Sequence, residues 1–223
     1  NRAIENMFKS NTLSEMIGNK ENQIMSLMNI AEIYNLNHQF NQCEKICRKL
    51  LGMIKPPYTP AQHALLSGVY VNLGTAYNSD SYLSNQDSLI RLSNMAMYHL
   101  RKSNYTAQNM GQVYSNYGYA LSMQGKFEEA LRYSDTGLLY AESVENPIEI
   151  AGNYVYRSYI YKNINNLKEA ISYGKKAIDI AQETGDFLHM KDAALSLKDY
   201  YHSMGNCVEE LKYVEIYYSA RDS

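Results

Sequence analysis

The chain has 223 residues, 45% hydrophobic and 20% charged, with a formal net charge of −2. That balance argues against a nucleic-acid surface, which needs a basic stripe. The uncharged run from Tyr58 to Ser79 carries Gln62, His63, Ser67, Asn72 and Thr75, so it is too polar for a membrane span of about 20 apolar residues.

The elements repeat. Residues 1–19 read as a lone second helix, because Ala3-Ile4, Ser10, Ser14 and Gly18-Asn19 overlay Ala170-Ile171, Ala177, Ala181 and Gly185-Asp186 without a gap. A first pair follows at 20–57, with Ile30-Ala31 and Tyr34 on one helix and Cys43 on the next. Cys43 and Cys47 share a helix face and are read as small core residues, since no zinc-type partner cluster accompanies them. The second pair, 58–104, carries Leu73-Gly74-x2-Tyr77 and Leu89. Extra length here is assigned to loops at Lys55–Pro60 and Asn78–Ser81, both of turn composition.

The third pair, 105–146, holds Tyr117-Gly118-x2-Leu121-x3-Gly125-x-Phe127-x2-Ala130. The fourth, 147–186, repeats it as Arg157-Ser158-x2-Tyr161-x3-Asn165-x-Leu167-x2-Ala170. The fifth, 187–223, repeats it again as Leu197-Lys198-x2-Tyr201-x3-Gly205-x-Cys207-x2-Glu210. Recurrence at this period marks stacked helix pairs and predicts a function read from a surface. The open start and the uncapped last helix lead us to expect a piece of a longer array.

Leu73-Gly74-x2-Tyr77 and Gly125-x-Phe127-x2-Ala130 resemble the tetratricopeptide repeat, in a long variant of about 40 residues against the usual 34. The resemblance covers essentially the whole chain. It implies an all-α fold, a right-handed alpha-alpha superhelix (TPR solenoid) of eleven helices, in one continuous array over 1–223. Small residues at Gly74, Gly118 and Ala130 would let helix backbones approach closely.

No catalytic motif is present: there is no G-x-S-x-G, H-E-x-x-H or glycine-rich phosphate loop. No catalytic residue, metal or cofactor is expected. His38, His63, His99, His189 and His202 are read as scattered surface or loop residues. Asp80, Asn85 and Asp87 are read as a turn, lacking the Gly and terminal Glu of a calcium loop. Asn104-Tyr105-Thr106 matches a glycosylation acceptor by pattern alone.

In tetratricopeptide arrays the first helix of each pair lines the concave groove. Carried over residue by residue, the resemblance places Asn29 and Glu32, Asn72 and Thr75, Asn116 and Tyr119, Tyr156 and Tyr159, and Ser196 and Asp199 in that groove. Asn29, Asn72 and Asn116 would form an amide ladder, able to donate to and accept from an extended peptide backbone. The tyrosines would add flat contact area. Basic residues that clamp an acidic tail in some family members are missing here, so an acidic C-terminal tail is not the expected ligand.

The expected function is non-catalytic protein or peptide binding, with self-association as a further possibility, and no nucleic-acid binding or membrane insertion by this segment. Phrases such as Ala181-Gln182-Glu183-Thr184-Gly185-Asp186 resemble the sensor arrays of Bacteroidetes-type regulators, which implies a sensory or scaffolding part of a larger bacterial protein, periplasmic in a membrane sensor. The alternative is a cytoplasmic regulator that responds to signal peptides.

Overall fold

The computed structural model describes residues 2–37, 39–79, 86–103 and 110–221. His38, Asp80, Asn85 and the Asn104-Tyr105-Thr106 acceptor lie outside the described residues. The described residues form α-helices and two compact units, Asn1–Ala107 and Gln108–Ser223.

The first unit holds α1 (Arg2–Met16), α2 (Lys20–Leu36), α3 (Phe40–Met53), α4 (Pro60–Ser79) and α5 (Gln86–Lys102). Each helix packs on its sequence neighbour, and α2 also touches α4. Leu27, Ile30, Cys43, Cys47, Leu50, Leu66, Val69 and Ala76 form its buried core. Both cysteines are free and fully buried, with Sγ atoms 3.9 Å apart. The contact with Cys43, together with burial, pushes the Cys47 thiol up, so it stays protonated.

One loop expectation fails. Asn78 and Ser79 continue α4, so part of the extra length is helix. Neither Gly nor Pro stands there to stop it, and Asn and Ser only weakly oppose helix. The other insertion is non-helical up to Pro60, which opens α4 as the first-turn position favours. Thr59 and Gln62 cap that start reciprocally: Gln62 N donates to Thr59 Oγ1 at 3.2 Å and Thr59 N to Gln62 Oε1 at 2.9 Å.

The second unit holds α6 (Met110–Met123), α7 (Phe127–Ser143), α8 (Pro147–Asn163), α9 (Leu167–Thr184), α10 (Phe187–Ser203) and α11 (Cys207–Arg221). Again each helix packs on the next, and the first helices α6, α8 and α10 touch in series. This is the pairwise packing of an α-solenoid. The small residues act as the register requires. A Cβ on Gly118 would lie 2.8 Å from the Ala130 carbonyl oxygen. Ser158, at the same position one period later, donates to the Ala170 carbonyl at 2.8 Å.

The turns are built alike at both kinds of junction. Gly125, Glu145, Asn165, Gly185 and Gly205 all have positive φ, between 49° and 75°. The residue after each sends its N–H back five positions, as Lys126 does to Leu121 O at 3.0 Å and Asp186 to Ala181 O at 2.9 Å. This is the Schellman arrangement, and it satisfies carbonyls that the helix end leaves open. Asn146, Asn166, Asp186 and Asn206 then cap the following helix by accepting the N–H of Glu149, Glu169, His189 and Glu209. Four of these five reversals therefore close both helix ends within a few residues, while Lys126 gives α7 no side-chain cap.

Candidate functional site

The surface of interest in the second unit is made by α6, α8 and α10. Polar bonds fix α6 against α8. Ser115 Oγ donates to Asn153 Oδ1, Asn153 Nδ2 to the Glu149 carbonyl at 2.7 Å, and Asn163 Nδ2 to Ser122 Oγ at 2.8 Å. The Glu149 carboxylate accepts Gln112 N–H at 2.9 Å, capping the start of α6 from the neighbouring helix. Burial raises the Glu149 pKa, and the Gln112 and Gly111 amides hold it back.

On this frame, residues three and four apart share a face. Tyr119 of α6 meets Tyr156 and Tyr159 of α8, with ring centroids 5.9 Å and 5.3 Å away, and Tyr156 meets Tyr159 edge-on at 6.0 Å. Ser196 of α10 lies within hydrogen-bonding reach of Tyr159 and of Tyr200. Burial pushes the Tyr119 phenol up to about 12, helped by Tyr200. Burial, followed by the charge of Asp192, drives Tyr159 well above its ordinary range, while Ser196 opposes the shift. These phenols stay neutral at ordinary pH and keep a proton to donate.

Of the sequence-predicted residues, Tyr119, Tyr156, Tyr159 and Ser196 therefore come together. Tyr156 is buried, whereas Tyr119, Tyr159 and Ser196 are half-buried. Asp199 is exposed and pairs with Lys198 at 3.0 Å. Asn116 is buried, and its Oδ1 has no hydrogen-bond partner among the described residues. In the first unit, Asn29 and Glu32 are exposed on α2, and Thr75 is buried on α4. Asn72 is half-buried, and Asn35 Nδ2 donates to its backbone oxygen at 2.9 Å. The three asparagines thus sit in three different environments.

Sequence reasoning missed Tyr200, Lys162 and Asp192 near this surface. Lys162 Nζ lies 5.4 Å from the Tyr200 ring centroid. Tyr200 is four residues from Ser196, so helical spacing alone could have found it.

The histidines also correct the sequence reading. His63 of α4 and His99 of α5 pair through their Nδ1 atoms at 2.8 Å. Tyr70 stacks on His99 at 5.5 Å, and Tyr58 and Tyr98 meet the pair edge-on. Burial, then the neighbouring His63, lowers the His99 pKa to about 4. His189 hydrogen-bonds Asp186 and packs so tightly on α8 that a Cβ at Gly152 would lie 2.7 Å from its Nε2. Burial opposes a charge on His189, but the hydrogen bond and charge of Asp186, with Asp192 beyond, outweigh it and raise the pKa. His63 and His99 come from different helices, which linear proximity does not reveal, whereas Asp186 and His189 stand three residues apart at the start of α10.

Among the described residues no group of three or more His, Cys, Asp or Glu is placed to hold a metal ion. No described helix is long and apolar enough to cross a membrane.

No protein-family model and no curated protein matches the sequence. Solved structures do. The chain is similar to BtubC (BKLC) from P. vanneervenii, at 16% identity and a TM-score of 0.59, over 99% of this chain and 90% of that one. It is similar to the apo form of RapI, at 15% identity and a TM-score of 0.58, over 99% of this chain and 84% of that one. The fold is a helical repeat. At these identities the likeness speaks for the architecture of the helical repeat and not for a ligand.

Proposed function

We propose that the chain is a non-catalytic protein- or peptide-binding module, the sensory or scaffolding part of a larger bacterial regulatory protein. The observation that carries this reading is the meeting of Tyr119, Tyr156, Tyr159 and Ser196 from three successive first helices. Tyrosines give large contact area for little rotamer entropy. Neutral phenols and a serine hydroxyl beside them can donate to the carbonyls of an extended segment. The finer reading is a single tetratricopeptide array, 1–19 followed by pairs at 20–57, 58–104, 105–146, 147–186 and 187–223, and it belongs to the same proposal.

The test is selection of peptides from a random display library on the whole chain. Fluorescence polarisation with the enriched peptides follows. Tyr119→Ala and Ser196→Trp should each weaken binding by roughly thirtyfold, the size of a hot-spot loss of ~2 kcal/mol, with helicity unchanged. Peptides that bind both variants as well as the parent would remove this surface from consideration.

A further inference from the structure

The gap between consecutive second helices is filled differently along the chain. Between α7 and α9, Arg157 of α8 places its guanidinium 4.9 Å from the Tyr173 centroid and 5.8 Å from that of Tyr161. It pairs there with Asp135. Between α9 and α11, Tyr201 and Tyr213 stack at 5.5 Å, and Lys175 lies over Tyr201 at 5.6 Å. Both gaps are closed by the chain's own side chains.

The corresponding gap in the first unit, between α3, α4 and α5, has Leu73 at the register of Arg157, Leu92 at that of Tyr173 and Arg48 at that of Asp135. Leucine is shorter than either arginine or tyrosine. What results is a cavity of about 300 Å³. Leu51, Leu73, Leu92 and Met95 supply its apolar lining, Tyr70 and Tyr77 its phenols, and Arg48 and Arg91 its charge. Glu44 already accepts from Arg48 at 2.6 Å and from the Tyr77 hydroxyl at 2.9 Å. Arg91 has no carboxylate partner among the described residues. Two guanidinium groups face one committed carboxylate, so the site carries one positive charge in excess. The filled gap of the second unit holds one cation beside one carboxylate, whereas this one adds a second cation, Arg91, over an apolar lining.

We propose that this cavity binds a compact monocarboxylate, with its apolar body against the leucines between Tyr70 and Tyr77 and its carboxylate on Arg91, Arg48 being the second cation. The volume is at the small end of ligand sites, roughly 300 Å³ upward, so the body is one ring or a short acyl chain. Either a free carboxylic acid or the apolar C-terminal residue of a peptide presents this chemistry. The site is independent of the tyrosine surface of the second unit, and its failure would leave that reading intact.

The experiment is an NMR titration of the whole chain with 3-phenylpropionate and its amide, and with acetyl-Gly-Gly-Phe as the free acid and as the amide. The expected result is saturable shifts of the Tyr70, Leu73 and Leu92 amides by an acid, with the matching amide weaker by about tenfold to a hundredfold, the worth of a charged hydrogen bond. Arg91→Gln should bring the acid down to the level of its amide. Leu92→Tyr, which restores the residue at the filled register, should abolish both. Ser196→Trp should change nothing. Saturation by the peptide acid alone assigns the site to a C-terminal residue, and saturation by 3-phenylpropionate assigns it to free acids. Equal binding of acid and amide, an Arg91→Gln variant that binds like the parent, or no saturable binding of either acid by about 10 mM, weaker than a ligand of this size should show, would overturn the proposal.

Discussion

Gly137 on α7 is where the helices of the second unit approach most tightly. A Cβ built there would lie 2.6 Å from Ser115 Oγ, 2.7 Å from Asn153 Oδ1 and 2.7 Å from the Gly111 carbonyl oxygen. The last of these is backbone, so a rotamer change cannot relieve it. Gly137→Ala therefore has to separate α6 from α7, an overpacking cost of about 1–3 kcal/mol. It also disturbs the buried Ser115–Asn153 bond, and leaving such a group unsatisfied costs about 1–3 kcal/mol. Against this stands about 1 kcal/mol from the better helix propensity of alanine. The net expectation is destabilisation of about 3 kcal/mol. Gly52 in α3 has nothing within 4 Å of its would-be Cβ, so Gly52→Ala keeps only the propensity gain, about 0.5–1 kcal/mol. Urea unfolding followed by circular dichroism should move the midpoint down by about 1–3 M for Gly137→Ala, given slopes of roughly 1–3 kcal/mol/M. It should rise slightly for Gly52→Ala. If both variants moved the same way, the close-approach argument would be refuted.

Other outcomes follow from the turns and the histidines. Gly185 has φ 69° and open space around it, so Gly185→Ala should cost backbone strain alone, about 1–2 kcal/mol, read from the same urea midpoint. His99 titrates near 4 when folded, below its unfolded value of about 6.5. The unfolded chain takes up a proton that the folded one refuses, so stability should fall as pH drops through that window. His99→Phe should flatten that loss in urea midpoints compared at about pH 7 and about pH 5. His189 has the opposite sign: its raised pKa gives stability fully present below about 6.5 and lost as pH rises through the folded value. His189→Gln should remove that alkaline decline.

Helix positions were legible because the pattern is local. The Gly118–Ala130 and Ser158–Ala170 contacts join residues a dozen apart across a short turn, and small residues at fixed spacing reveal them. The Tyr119, Tyr156 and Tyr159 meeting was legible only through family resemblance, since it joins residues about one period apart. Exposure was not legible: nothing in the spacing distinguishes open Asn29 from buried Asn116. That difference depends on what the neighbouring helices place over each amide. The His63–His99 pair was missed for the same reason, as its partners lie 36 positions apart on helices α4 and α5. The cavity beside Leu73 was hidden more deeply. Its existence depends on a difference between gaps, with leucine where another gap has arginine or tyrosine, and a search for similarity passes over such differences.

The shared chain reversal has an evolutionary corollary. Asn146 and Asp186 follow left-handed residues, accept the same kind of amide bond and start helices in the same way. A gene duplication that copied residues 147–186 in tandem would join ends already suited to each other, with no new junction to invent. Lengthening or shortening such a chain by whole cassettes is thus mechanically easy, and recognition faces can diversify while the joints stay fixed.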